Sequence, residues 1–93
     1  MVTVVFRLAA GERRILGLPC VKGDYAVVAV SEGVADLKLG VLRDDGAEWL
    51  ARCTVVRPDP EVKFQTSKAG LYVVFVGNPT DKPALVSLTR LKK

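Results

Sequence analysis

The chain has 93 residues, of which 49% are hydrophobic and 26% are charged, and its formal net charge is +4. A chain of this length forms about one domain with a single modest core, and this composition excludes a disordered polar segment. No apolar run approaches the roughly 18 residues that a membrane-spanning helix needs, so no transmembrane segment is expected. We therefore expect one domain over residues 1–93.

The distribution of positive charge is more informative than its total. Lys and Arg are scattered singly, and only Arg13-Arg14 and Arg90 with Lys92-Lys93 stand together. This scatter favours a solvated surface over a dedicated patch for nucleic acid or phospholipid. The amino terminus has neither a basic leader region nor a small-residue cleavage site, so a secreted form is not indicated and a cytoplasmic location is expected.

Short apolar or alternating runs dominate the chain, and each is closed by glycine, proline or aspartate. No segment shows a convincing helical period over ten residues. The eight predicted strands are Val2 to Leu8, Arg13 to Leu18, Tyr25 to Ser31, Ala35 to Leu42, Glu48 to Val56, Val62 to Thr66, Leu71 to Gly77 and Ala84 to Leu91. The pattern predicts an all-β fold, an antiparallel eight-strand jelly-roll-like β-sandwich.

The faces of these strands differ in polarity. The third and seventh runs are apolar on both faces, which predicts central strands covered on both sides. The fourth alternates strictly, which predicts one face towards water. Pro19 is expected to end the second strand because it cannot donate to a sheet ladder. Asp45-Gly46 carries the strongest hairpin signal, because both residues tolerate positive φ angles.

The aromatic residues are predicted to lie in or near the core. In the fifth strand, alternation places Trp49, Ala51 and Cys53 on one face. Trp49 closely follows the Asp45-Gly46 turn, so the alternative is a place at the rim, where it would anchor a partner. Single-stranded nucleic-acid modules need exposed aromatic platforms, and their short supply here disfavours nucleic acid as a partner.

The sequence offers little for catalysis. It contains no histidine, which excludes Ser-His-Asp and Cys-His arrangements, and no glycine cluster that would bind phosphate. Cys20 and Cys53 cannot form a structural zinc site alone. They are interpreted as small buried hydrophobes, with a disulfide between them and a nucleophilic thiol as alternatives. The loop aspartates fit turn chemistry without calcium. We expect no catalytic residue, metal or cofactor.

The order of these segments resembles the GOLD (Golgi dynamics) domain. That family has a penultimate strand that begins Gly-x-Tyr and ends at an Asn before the last loop. The matching residues here are Gly70-Leu71-Tyr72-Val73-Val74-Phe75-Val76-Gly77-Asn78, preceded by Phe64-Gln65-Thr66. Further similar segments are Leu8-Ala9-Ala10-Gly11-Glu12, Val21-Lys22-Gly23-Asp24, and Asp36 to Val41 followed by Asp45-Gly46. The resemblance implies a jelly-roll-like sandwich that serves as a binding module.

The sequence departs from the cargo-receptor branch of that family at two points. That branch has a cysteine in the penultimate strand where this chain has Phe75, and it continues into a coiled coil and a membrane anchor that are missing here. The expected function is a non-enzymatic interaction module that binds a protein or lipid-associated partner. The alternatives are a small basic β-domain that binds nucleic acid and a jelly-roll coat subunit. Edge pairing between sandwiches is compatible with a homodimer.

Overall fold

The structure is a computed structural model that describes residues 2–32, 36–43, 48–53 and 57–93. These residues form eight β-strands and no helix. The strands are β1 (Val2–Leu8), β2 (Arg13–Cys20), β3 (Gly23–Glu32), β4 (Lys38–Leu42), β5 (Trp49–Arg52), β6 (Glu61–Thr66), β7 (Gly70–Gly77) and β8 (Ala84–Lys92).

The strands form two four-stranded sheets with the orders β1-β8-β3-β6 and β2-β7-β4-β5. Every pairing of neighbouring strands is antiparallel. Consecutive strands mostly lie in different sheets, which is the arrangement of a jelly roll. The prediction of an antiparallel eight-strand sandwich is confirmed.

The core lies between the two sheets and is built by alternation. In β6, the side chains of Val62, Phe64 and Thr66 are buried while the residues between them are exposed, as the sequence predicts. Phe64 stacks on Tyr25 of the same sheet at a ring-centroid distance of 5.7 Å. Its ring also lies 6.3 Å from that of Tyr72 in the opposite sheet. This aromatic group therefore joins the two sheets near one end of the sandwich.

Two buried polar side chains fix the loops. Asn78 is 1% exposed, and its amide donates to the carbonyl oxygens of Leu8, Ala9 and Lys82. At the other end, the Thr66 hydroxyl donates to the Val21 carbonyl at 2.7 Å. Buried polar groups must be paired, so each side chain holds its loop in one conformation.

Two predictions about single strands are wrong. β2 continues through Pro19 to Cys20, because β2 is an edge strand and its proline needs no ladder partner. The strands β3 and β7 are central, but their outer faces are not fully covered. Val30 of β3 is 45% exposed and Leu71 of β7 is 56% exposed. The Asp45-Gly46 hairpin and residues 54–56 lie outside the described residues.

Candidate binding surface

The outer side of the β2-β7-β4-β5 sheet carries a continuous apolar surface, which we call the Trp49 face. The register aligns its side chains in rows. Ile15 is opposite Phe75, which is opposite Gly40, and in the next row Val73 is opposite Leu42. The members of the Trp49 face are Ile15, Gly17, Gly40, Leu42, Trp49, Leu71, Val73 and Phe75.

Trp49 projects from the edge strand β5 over the neighbouring strand β4. A Cβ atom at Gly40 would overlap the six-membered ring of Trp49, so the ring lies directly over that glycine. The Trp49 ring meets the Phe75 ring edge to face, with centroids 5.8 Å apart and an interplanar angle of 88°. The Arg52 guanidinium lies 5.5 Å from the Trp49 ring centroid. Trp49 nevertheless remains 43% exposed.

A β-bulge explains why Trp49 points outwards. The register between β4 and β5 shifts at Val41 and Leu42, so that Trp49 is opposite Leu42 while Arg52 is opposite Gly40. Ala51 packs against the core instead. Strict alternation placed Trp49 on the same face as Ala51 and Cys53, and that prediction is wrong because a bulge adds a residue to one strand.

The Trp49 face is bordered by positive charge. Arg13 and Lys38 both lie opposite Gly77, and Arg52 lies beside Trp49. Among the described residues, no acidic side chain occupies an outward position of the four strands in this sheet. Ile15 is 66% exposed. The arrangement therefore combines a rigid aromatic ring, exposed aliphatic side chains and a cationic border.

Phe75 and its neighbours show what the sequence interpretation missed. Phe75 was expected in or near the core, but it lies half-buried under Trp49 on the outer face. The signal was present in the apolar residues at every position of Leu71 to Val76. One face of that run fills the core, and the other forms the middle of the Trp49 face.

The two cysteines are not bonded to each other. Cys20 ends β2 opposite Gly70, whereas the Cys53 amide donates to Leu39 of β4. The strands β2 and β5 are the two edges of this sheet, so about three strand spacings, or roughly 14 Å, separate them. A disulfide needs Cα atoms within about 7 Å of each other. The alternative of a Cys20–Cys53 disulfide is therefore wrong.

Cys20 is buried at the end of β2. Burial raises the pKa of its thiol above the ordinary value of 9.0, and the nearby Arg90 guanidinium opposes this rise through a hydrogen bond and its charge. Arg90 itself donates to the Pro19 carbonyl and lies 5.5 Å from the Tyr25 ring centroid. A raised pKa keeps the thiol protonated at neutral pH, which disfavours a nucleophilic role.

A cleft of about 740 Å³ opens at one end of the sandwich. Its described lining residues are Lys22, Arg43, Leu50, Gln65, Thr66, Ser67, Lys68 and Tyr72. Several of its polar groups already have partners, since the Tyr72 hydroxyl donates to the Lys68 carbonyl and Arg43 forms an ion pair with Glu48 at 3.4 Å. These described residues supply no carboxylate or imidazole for proton transfer.

The described part of the chain contains no group of three or more metal-binding side chains. Asp44 and Asp45 lie outside it. Asp24 and Asp59 do not converge, since Asp59 forms an ion pair with Arg57 at 2.8 Å while Asp24 lies near the start of β3, opposite Gln65. Within the same residues, no helix is long and apolar enough to cross a membrane.

The fold defines the chain as an eight-stranded jelly-roll β-sandwich, and solved structures share this architecture. The pre-peptidase C-terminal domain of collagenase from Bacillus anthracis is similar at 14% identity and a TM-score of 0.78, over 97% of this chain and 88% of that chain. The Yersinia pseudotuberculosis-derived mitogen is similar at 18% identity and a TM-score of 0.77, over 99% and 85%.

A de novo designed double-stranded β-helix is similar at 15% identity and a TM-score of 0.56, over 98% of this chain and 100% of that chain. No family model and no curated protein matches the chain. Similarity at these identities shows the fold alone. The resemblance to GOLD domains is not confirmed by a family match, and the solved structures support the coarser description of a small all-β domain.

Proposed function

We propose that this chain is a non-enzymatic interaction module that binds a protein partner through the Trp49 face. One observation carries the proposal: an exposed tryptophan lies over Gly40 and against Phe75 as part of an exposed apolar surface. Aromatic side chains in such positions supply much of the binding energy at protein interfaces. The ring is held before binding, which reduces the entropy lost on association.

The charge around this face indicates the kind of partner. Arg13, Lys38 and Arg52 border it without a described acidic residue among them. Complementary potentials favour association, so the partner should present an apolar patch bordered by Asp or Glu. Nucleic acid fits less well, because Phe6, Phe64 and the two tyrosines are buried and leave few rings on which bases could stack.

Several features support a role without catalysis. The sequence contains no histidine, and the described cleft residues carry no carboxylate or imidazole for proton transfer. The resemblance to GOLD domains agrees with a binding role. The resemblance implies a protein or a lipid-associated partner, and we propose a protein because aromatic anchors such as Trp49 are typical of protein interfaces.

The test is selection of random peptides, displayed on phage, against the full chain. We expect enriched peptides with an aromatic or aliphatic residue flanked by acidic residues. Synthetic copies should bind the Trp49→Ala variant about tenfold or more weakly, because loss of an aromatic anchor costs at least 1–2 kcal/mol. The Arg52→Gln variant should bind more weakly and with less dependence on salt concentration.

The matched control is Val30→Ala, which removes an exposed apolar side chain from the outer face of the other sheet. It should leave peptide affinity unchanged. The proposal is contradicted if the library yields no binder, if enriched peptides are basic, or if Trp49→Ala and Val30→Ala have equal effects.

A further inference from the structure

The strand β1 has an open edge. It lies at the end of its sheet and pairs only with β8. Val2, Val4 and Val5 are 41%, 40% and 62% exposed. At the far end of the strand, the Arg14 guanidinium donates to the Arg7 carbonyl at 3.4 Å. The segment from Val2 to Phe6 therefore offers unpaired backbone groups together with exposed apolar side chains.

The other three sheet edges are protected against pairing with another chain. Proteins protect such edges with charge, proline, bulges or short strands. The edge strand β2 contains Pro19, and β6 carries Glu61 and Lys63 directly after Pro60. The strand β5 has four residues and a bulge. In contrast, Val2 to Phe6 contains no charge and no proline, and its pairing with β8 is regular.

The contacts of β1 show which of its backbone groups are available. In an antiparallel pair, alternate residues direct their N–H and C=O groups towards the neighbouring strand. The Arg7 carbonyl bonds to Arg14 and the Ala9 amide bonds to Glu12, so both point away from β8. The hydroxyl oxygens of Thr3 and Thr89 lie 3.1 Å apart. Opposite side chains come this close in a non-hydrogen-bonded pair of an antiparallel ladder. Thr3 and Val5 therefore direct their backbone groups towards the open edge.

We propose that β1 pairs with β1 of a second copy of this chain, in an antiparallel dimer whose twofold axis passes beside Val4. Thr3 of each copy then pairs with Val5 of the other, which forms four backbone hydrogen bonds. The two Val4 side chains meet at the axis, and Val2 covers Phe6 of the other copy. The result is one continuous eight-stranded sheet with isologous contacts.

Two features favour a second copy as the occupant and Val4 as the centre. The segment is uncharged and self-complementary, since Val4 meets Val4 and Val2 meets Phe6, while Val5 meets the small uncharged side chain of Thr3. In this register the pairing of Val2 to Phe6 with its copy uses no backbone group of Arg7, so it does not require the bond between Arg14 and the Arg7 carbonyl to break. A register centred on Val5 would pair Arg7 with Thr3 of the other copy and would displace Arg14. The Trp49 face takes no part in the contact, so this dimer is independent of the proposed function.

The mass of the full chain in solution tests the dimer. Sedimentation equilibrium over a concentration series should show a reversible monomer–dimer equilibrium. Val5→Pro should shift it to monomer with an unchanged far-UV CD spectrum, because proline is tolerated where the amide faces away from the sheet. Val30→Lys changes a residue in the same row of the same outer face, two strands from the edge, and should leave the dimer intact.

A cysteine pair tests the register without relying on a proline. Val4→Cys should form an intermolecular disulfide on mild oxidation, because residues on the axis have Cα atoms about 4.5 Å apart. Val5→Cys should cross-link much more slowly, since its copies lie about 8 Å apart. The unsubstituted chain controls for Cys53. A monomer at all concentrations, an open-ended assembly, faster cross-linking of Val5→Cys, or a dimer that dissociates in Trp49→Ala would overturn the proposal.

Discussion

Gly40 is the residue on which the geometry of the Trp49 face depends. Its missing side chain leaves the space that the Trp49 ring occupies, so two residues from neighbouring strands form one feature. Phe75 supports the ring from β7 at an edge-to-face angle that favours aromatic contact. Exposure of Trp49 is therefore combined with a fixed orientation, which a flexible tryptophan in a loop would lack.

Gly40→Ala should move the Trp49 ring away from the sheet, because the new methyl group would overlap it. We expect a red shift in the emission of this single tryptophan and weaker binding of the selected peptides. The free energy of unfolding should change by at most about 1 kcal/mol, since the ring lies at the surface and can rotate into water. Fluorescence and urea titration measure the two effects.

The control is Gly17→Ala on the same face. The methyl group there would meet the flexible Leu71 side chain, whose nearest atom is 3.1 Å away. Its effect on tryptophan emission should be small. Equal fluorescence emission spectra for Gly40→Ala and the unsubstituted chain would contradict the conclusion that Gly40 provides the space for the Trp49 ring.

For individual strands, the alternation of apolar and polar residues predicts which side chains are buried. Val62, Phe64 and Thr66 are buried as their spacing indicates, and β1 has the predicted bounds. This prediction fails where the local geometry depends on the position of the strand in its sheet. The bulge beside Leu42 turns Trp49 outwards, and the edge position of β2 admits Pro19. Both effects depend on which strands are adjacent, and a single-strand pattern does not contain that information.

Arg14 closes the open side of the sandwich between β1 and β2. Its guanidinium lies 4.9 Å from the Phe6 ring centroid and donates to the Arg7 carbonyl. Arg14→Ala should lower the free energy of unfolding by about 1 kcal/mol, through the lost cation–π contact and the lost cover over Phe6. Arg13→Ala is the matched control, because Arg13 is exposed on the outer face. Its effect in urea unfolding should be below about 0.5 kcal/mol, and a larger loss than in Arg14→Ala would contradict this assignment.

For the whole molecule, the apolar runs of β3 and β7 predict central strands correctly but do not reveal what covers them. Their inner residues, such as Val27 and Val74, fill the core, while Val30 and Leu71 remain exposed. The sequence therefore contains more apolar surface than the sandwich buries. Large exposed apolar areas mark interaction sites. On the Trp49 face, this exposed apolar area supports the proposed binding role more directly than any sequence motif does.

The topology makes β8 the strand on which its sheet depends. It lies between β1 and β3, and it pairs with them along Val2–Leu8 and Tyr25–Glu32. Its buried residues Ala84, Val86 and Leu88 also contribute to the core. Deletion of residues 84–93 should therefore abolish folding, because it leaves β1 without any partner and exposes one side of β3.

Far-UV CD and the dispersion of amide NMR signals measure this loss. A chain shortened by Lys92 and Lys93 alone is the control, and it should keep the fold, since it gives up only the end of the β8 pairing with β3 and the bond from Lys93 to Asp24. The strand that completes the sheet is thus synthesised after the other seven strands. Native pairing of β1 must wait for it, and contacts between such distant segments make folding slow. A folded chain without β8 would show that the sheet order does not govern stability.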